Sequence, residues 1–241
     1  ISMFYDLSNP NEFVADISKC LHPSGIWVLE QSYVLRMLEQ NAYDTICHEH
    51  LEYYGLKQIS DIVSRQGLRV FDVQFNDCNG GSFRVFVCHQ DAFFQVSPNV
   101  KVTLERESAN NLHLAKPYLE FSNRVERLRN ELVQFVNSII KSGKTLYVYG
   151  ASTKGNTLLQ YCGLDKTQIV AAADRNPKKW GSRTPGTDIP IISEAEARAA
   201  APDYFLVLPW HFREEFLKRE EEFLKGGGKL IFPLPELSVV G

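Results

Sequence analysis

The sequence predicts an α/β protein: the second half of an open sheet, followed by a parallel sheet with helices on both faces. Three observations carry this. From Lys144 onward, apolar strand-like runs alternate with helical stretches, the order of repeated βα units. Before that, "LRVFDVQFND" and "GSFRVFVCHQ" alternate apolar and polar residues around Cys78-Asn79-Gly80-Gly81, a hairpin signal. Between the two regions, Phe121, Val125, Leu128, Leu132, Phe135 and Ile139 step by four and three along one helix face.

The elements follow in order. Residues 1–5 read as a strand end, and "DLSNPNEFVADISKCLHPSG" as a loop and helix carrying Phe13, Ile17 and Leu21 on one side. Pro23-Ser24-Gly25 stops that helix, and "IWVLEQS" is a buried strand. A polar connector, "YDTICHEHLEYYGL", leads to a helix over "LKQISDIVSRQG", which ends at Gly67. Residues from about 100 to 142 are helical, with Pro117 breaking or kinking what precedes it. Then come strand "TLYVYGAS", helix "GNTLLQYCG", strand "IVAAADRNP", helix "SEAEARAAA", strand "DYFLVLPW", helix "REEFLKREEEFLKGGG" and a last strand, "KLIFPLP". The division expected is 1–95, connecting helices over 96–142, and 143–241.

Composition narrows the function classes. The 241 residues are 44% apolar and carry a formal charge of −3, with no basic run of the kind a nucleic-acid surface needs. No apolar run approaches the roughly 18 residues that cross a bilayer, so no membrane association is expected and a cytoplasmic location is. Cys20, Cys47, Cys78, Cys88 and Cys162 are scattered and never spaced as CxxC, which reads as reduced thiols. The apolar start, "ISMFYDLSNPNEFV", enters mid-pattern, and the chain is read as a fragment.

Four motifs carry candidate chemistry. In "YDTICHEH", extended backbone would put His48 and His50 on one side, but a catalytic zinc needs three protein ligands and no third histidine is evident. Acid/base work suits the pair better, since an imidazole titrates near neutrality and the adjacent Glu49 can tune it. The loop "GASTKGNT", Gly150 to Thr157, nearly matches a phosphate-binding pattern, with Asn156 where the lysine belongs. What remains is a turn before a helix N-terminus, which favours an anion, and Asp174 falls where a ribose-binding acid stands in nucleotide-binding sheets. Arg84 follows a glycine turn, and either clamps a phosphate or carboxylate or pairs across its hairpin. "PWHF" places Trp210 and His211 at a strand end. The Lys218–Lys225 charge run reads as a solvated helix face.

Taken together, "HPSGIWVLEQSY", "YDTICHEHLEYY", "GGSFRVFV", "YGASTKGNT", "DRNPKKWG" and "PWHF" resemble the S-adenosylmethionine-dependent sugar C-methyltransferases, over essentially the whole chain. The resemblance implies that residues 1–95 are the second half of a methyltransferase Rossmann-like sheet, its last two strands a hairpin, and that 143–241 is a Rossmann-like domain. It implies methyl transfer from S-adenosylmethionine to a carbon beside a keto group of a nucleotide-linked deoxysugar. The main donor-binding loop, and a zinc held by an N-terminal cysteine module, would lie outside this chain, leaving it inactive alone and without a metal of its own. Glu49 and His50 match the family's catalytic pair, with His50 as the base that forms an enolate, while His48 stands where the pattern varies. Tyr43 and Cys47 join the catalytic set, and Tyr5 and Asp6 the cofactor side. Arg84, Gly150, Ser152, Thr153, Lys154, Asn156, Lys178 and His211 form the expected substrate-binding set. Two departures bear on the substrate: Cys47 replaces a tyrosine and Asp6 a histidine. The competing reading is a nucleotide- or NAD-binding α/β protein without methyltransferase activity.

Overall fold

The computed structural model describes residues 1–78 and 80–241; Asn79 of the predicted hairpin turn lies outside the described residues. The chain divides into two compact units, one of residues 1–40 with 48–121, the other of residues 41–47 with 122–241. The border thus runs through the connector motif, between Cys47 and His48, and again inside a long helix.

The first unit holds α1 (Pro10–Cys20), β1 (Trp27–Ser32), α2 (Val34–Glu39), α3 (Leu56–Ser64), β2 (Leu68–Asn76), β3 (Ser82–His89) and α4 (Pro98–Ala109). Asn9 caps α1 by accepting the Glu12 N–H, and Pro10 occupies the first turn, where its missing N–H costs nothing. β3 lies between β1 and β2, antiparallel to both, so the hairpin predicted from the alternating pattern is present. Leu29, Val73, Val85 and Val87 bury completely or nearly so, and Leu56, Ile59 and Val63 of α3 are buried without residue.

One polar contact fixes α3. Glu107 of α4, 3% exposed, accepts the Leu56 N–H at 2.6 Å and the Lys57 N–H at 3.0 Å. A carboxylate there satisfies donors that the first turn leaves open and meets the positive end of the helix dipole. A Cβ on Gly55 would come within 2.9 Å of the Glu107 carboxylate, so a larger residue there would push that carboxylate aside.

α5 (Lys116–Lys141) spans the border between the units. The second unit continues with β4 (Leu146–Tyr149), α6 (Thr153–Cys162), β5 (Ala172–Asp174), β6 (Ile191–Ser193), α7 (Glu194–Ala199), β7 (Tyr204–Val207), α8 (Arg213–Arg219), α9 (Glu221–Lys225), β8 (Lys229–Phe232) and β9 (Ser238–Val240). The sheet order is β6-β5-β4-β7-β8-β9, parallel except for β9. The chain winds from β4 to one side, then returns to β7 on the other. That reversal between β4 and β7 opens a crevice beyond the carboxyl ends of the strands. The mixed α/β architecture with a parallel Rossmann-like sheet agrees with the sequence prediction. Among the described residues no helix is long and apolar enough to cross a membrane.

Four local expectations differ. Residues 4–6 form a 3-10 turn rather than a strand end, because Phe4 turns into the core and only Ser2 donates to β1, at Glu30. α2 was absent from the sequence reading; it is only six residues long, with Val34, Leu35, Met37 and Leu38 buried and Arg36 and Glu39 toward solvent, too short to show a helical period. The helical stretch from 100 to 142 is two helices, in keeping with the expected break, with Pro117 inside the first turn of the second. The last predicted helix splits into α8 and α9 at Glu220, which corrects the solvated-face reading: Glu220 is 1% exposed and bonds to Arg198 and Arg219. "KLIFPLP" is not the last strand, since β9 pairs beyond it on the sheet edge.

The Glu107 contact makes a prediction. Glu107→Ala leaves two buried helix-start N–H groups without an acceptor and should cost about 2–4 kcal/mol, since hydrogen bonds to a charged group are worth about 1.5–3 kcal/mol each and are not additive. Denaturant unfolding measures the loss, and faster hydrogen exchange at Leu56 and Lys57 places it.

Candidate functional site

The site in the second unit is built on the crevice between β4 and β7. β4 runs into Gly150, whose φ of +87° is open to glycine at little cost, and a Cβ there would meet the Pro209 ring at 3.2 Å. Ser152 then caps α6 by accepting the Gly155 N–H. A Cβ on Gly155 would fall 2.9 Å from Leu208, so two glycines let the loop press against the end of β7. Asp174, closing β5, accepts the Ala151 N–H at 2.9 Å, the Asn176 N–H at 2.8 Å and the Lys179 ammonium at 3.1 Å. Burial alone would raise its pKa, but these three donors hold the carboxyl below the usual range. The acid expected to read a ribose is therefore already engaged in holding the loop.

Residues 41–47 of the connector motif belong to this unit and are pinned by polar contacts. Asn41, at φ 53°, donates to the Pro235 carbonyl and accepts from Arg124. The Tyr43 hydroxyl lies 3.5 Å from the Cys162 sulfur, and its ring packs on Tyr161. Asp44 is 2% exposed; its Oδ2 accepts the Trp210 indole N–H at 2.9 Å, while Oδ1 makes no hydrogen bond of ordinary geometry.

Electrostatics tie the rest together. Burial pushes the Asp44 carboxyl up, against the pull of Trp210, of Lys154 and of its own turn's N–H groups. Burial pushes the Lys154 ammonium down, and Asp44 and Cys47 oppose it. Burial, then the positive charge of Lys154, push His211 down to about 4, so its imidazole is neutral at pH 7. The start of α6 thus gathers a cation, a neutral imidazole and a buried carboxylate, with the helix N–H groups beside them.

The first unit contains the remainder of the motif. His48 and Glu49 are exposed and lie in a turn, so the extended geometry that would aim His48 and His50 together is not formed. Among the described residues no group of three or more His, Cys, Asp or Glu could hold a metal ion. The His50 ring sits 4.3 Å from that of Tyr5, and the Tyr5 carbonyl accepts the Leu51 and Glu52 N–H groups at 3.0 and 3.1 Å. Two residues chosen from the sequence for base and cofactor roles are thereby neighbours. Asp6 is exposed in the same turn. Arg84 pairs with Glu30 of β1 at 2.6 Å, on the strand outside the hairpin across which its pairing was expected.

In the second unit the sequence-chosen Gly150, Ser152, Thr153, Lys154, Asn156 and His211 cluster at the sheet edge. The Asn156 Oδ1 is buried with no hydrogen-bond partner. Lys178 is exposed and contributes only its backbone to the Asn176 cap, whereas Lys179 reaches both Ala151 and Asp174. Asp44 and Lys179 escaped the sequence reading. The acid of "YDTICHEH" was overlooked beside two histidines, and nothing in "PKK" tells one lysine from the other.

Comparison with known proteins now decides the family. Residues 77–235 match the model of the C-methyltransferase C-terminal domain. The chain belongs to this C-methyltransferase family. It is also 37% identical over 237 residues to C-methyltransferase NovU of Streptomyces niveus, covering 98% of this chain and 56% of NovU. The chain therefore spans about half the length of the curated relative it matches.

His211 generates a prediction with a definite sign. Its folded pKa lies below the ordinary 6.5, so its stabilising contribution is present above pH 6.5 and lost as pH falls toward 4. His211→Gln should lose less stability over that window than the parent, by on the order of 1–3 kcal/mol after discounting for partial exposure. Asp44 contributes with the opposite sign in both proteins, so the difference between their denaturant midpoints at pH 7 and pH 4.5 isolates the histidine.

Proposed function

We propose that this chain is part of an enzyme that transfers a methyl group from S-adenosylmethionine to a carbon next to the keto group of a nucleotide-linked deoxysugar. Membership of the C-methyltransferase family is the observation that carries the reading, and similarity to NovU supports it. His50 acts as the base. Its ring nitrogen takes the proton from the carbon beside the ketone, and the electrons left behind delocalise onto the carbonyl oxygen as an enolate. That carbon is acidic enough for a positioned imidazole, whereas an isolated sugar carbon is not. S-adenosylmethionine, when bound, would supply the electrophilic methyl group that this enolate carbon takes up, its sulfur leaving as the thioether. Glu49, next in the chain, holds the imidazole ready, and the proton on His50 later returns to solvent.

Tyr5 fits the cofactor side, since its ring lies against the base and its carbonyl anchors the chain just past His50. Asp6, exposed in the same turn, offers a carboxylate to the donor's ammonium or hydroxyl groups. Tyr43 and Cys47 shape the catalytic surroundings, and Lys154 with the α6 start takes the phosphates. Arg84 serves the substrate through the guanidinium nitrogens that Glu30 leaves open. The expected setting is cytoplasmic, where nucleotide sugars are made.

A NAD-binding protein is the second reading, favoured by the strand order of the second unit. The occupied Asp174 carboxylate counts against it, because a dinucleotide's ribose would need that acid.

His50→Asn should lower methyl transfer by at least about a hundredfold while substrate binding stays nearly intact, because the lost interaction belongs to the transition state. His48→Asn should cost far less. Exchange of the substrate C–H proton into deuterated water, followed by NMR without methyl donor, is an independent check. If His50→Asn still exchanges that proton at the parent rate, the base is elsewhere, and Tyr43 or His48 must be tested.

A further inference from the structure

The chain from His48 to Gly55 forms neither helix nor strand, so no ladder of backbone hydrogen bonds aims the His50 imidazole. A general base works only within hydrogen-bond reach of the proton it takes, and a misplacement of about 1 Å can cost on the order of 100-fold in rate. Residues outside the segment have to hold the ring. In the first unit Phe4 and Tyr5 do so.

Phe4 supplies the anchor. It is 2% exposed and packs against the rings of Phe13, Trp27 and Tyr54, at 6.1, 5.8 and 5.3 Å. Tyr54 fixes the far end of the segment, and its carbonyl accepts the Val34 N–H at 3.1 Å. Tyr5, half-buried, fixes the near end. Its carbonyl accepts two N–H groups, from Leu51 at 3.0 Å and Glu52 at 3.1 Å, so both of its lone pairs hold the main chain just after His50. Its ring lies 4.3 Å from the imidazole, with the two planes inclined by 55°. The Tyr53 hydroxyl adds a further hold by donating to the His50 carbonyl at 3.4 Å. An imidazole on an irregular segment turns about two side-chain torsions, and a ring packed against it restricts both.

We propose that Tyr5 is the positioning residue for the His50 base: its carbonyl fixes the main chain and its ring fixes the imidazole. This rests on the role proposed above for His50 and adds the residue that sets its aim. The proton passes from the substrate carbon to the imidazole, and Tyr5 takes no part in the transfer. The carbonyl belongs to the main chain and survives any substitution at residue 5, so side-chain variants report on the ring.

Exchange of the substrate C–H proton into deuterated water by the complete enzyme, run without methyl donor, tests this, because a residue that only contacted the donor would not affect it. Tyr5→Leu should slow the exchange about 10- to 100-fold and lower the kcat of methyl transfer alike, with KM for the sugar substrate within about twofold of the parent's. Tyr5→Phe, which restores the ring, should recover most of that loss. Nuclear Overhauser contacts between the Tyr5 ring and the His50 imidazole protons, measured in the parent chain, check the geometry without any substitution if the leucine variant misfolds. The inference is overturned if those contacts are absent, if Tyr5→Leu exchanges at the parent rate, or if Tyr5→Phe loses as much as Tyr5→Leu. The base itself is judged separately. His50→Asn exchanging at the parent rate ends that reading, whereas slow exchange in His50→Asn beside normal exchange in Tyr5→Leu ends only the role of Tyr5.

Discussion

The hydrogen bond from the Trp210 indole to the Asp44 carboxylate organises the second unit's functional edge. A carboxylate 2% exposed is costly to hold without a donor, and this indole N–H supplies one at 2.9 Å. The bond joins two stretches far apart in sequence. One is the connector segment from Asn41 to Cys47, the other the turn after β7 that presents His211 and Phe212. Lys154 sits within reach of the same carboxylate's charge. Break this bond, and the segment bearing Tyr43 and Cys47 loses its deepest anchor to the sheet.

Around that anchor, the loop between β4 and α6 is held by two different means. Steric fit does part of it: Gly150 and Gly155 permit an approach to Pro209 and Leu208 that any side chain would block. Asp174 does the other part by accepting the Ala151 N–H and the Lys179 ammonium together. The result is a preformed edge with its donors and cation already placed. Binding there need not first order a flexible loop, which is a large part of the cost of recognition elsewhere. In the first unit Glu107 plays the corresponding part for α3, ordering the helix that follows the motif.

Much of this was legible in the amino-acid order because the second unit obeys simple periodicities. Strands such as "TLYVY" and "DYFLVL" are buried on both faces and read as continuous apolar runs, and the helices between them show one-sided patterns. The sheet-edge residues followed from topology, since strand ends in such sheets carry ligands. What escaped depended on contacts between distant residues. α2 is only six residues long, too short for its two polar residues, Arg36 and Glu39, to mark a helical period. Glu220 looked like one more glutamate in a solvated run, and only the guanidinium groups of Arg198 and Arg219 explain why it turns inward. Asp44 and Lys179 each depend on a partner that spacing along the chain does not reveal.

The claim that the carboxyl edge of the second unit's sheet receives a nucleotide-linked substrate is open to one direct measurement. Backbone amide shifts of the ¹⁵N-labelled chain are followed while UDP is added. The account predicts the largest changes at residues 150–157 and 210–213, with smaller ones at Asp44 and Asp174. Changes concentrated instead around Lys57, Glu107 and His113, where the first unit has its own cavity, would contradict it.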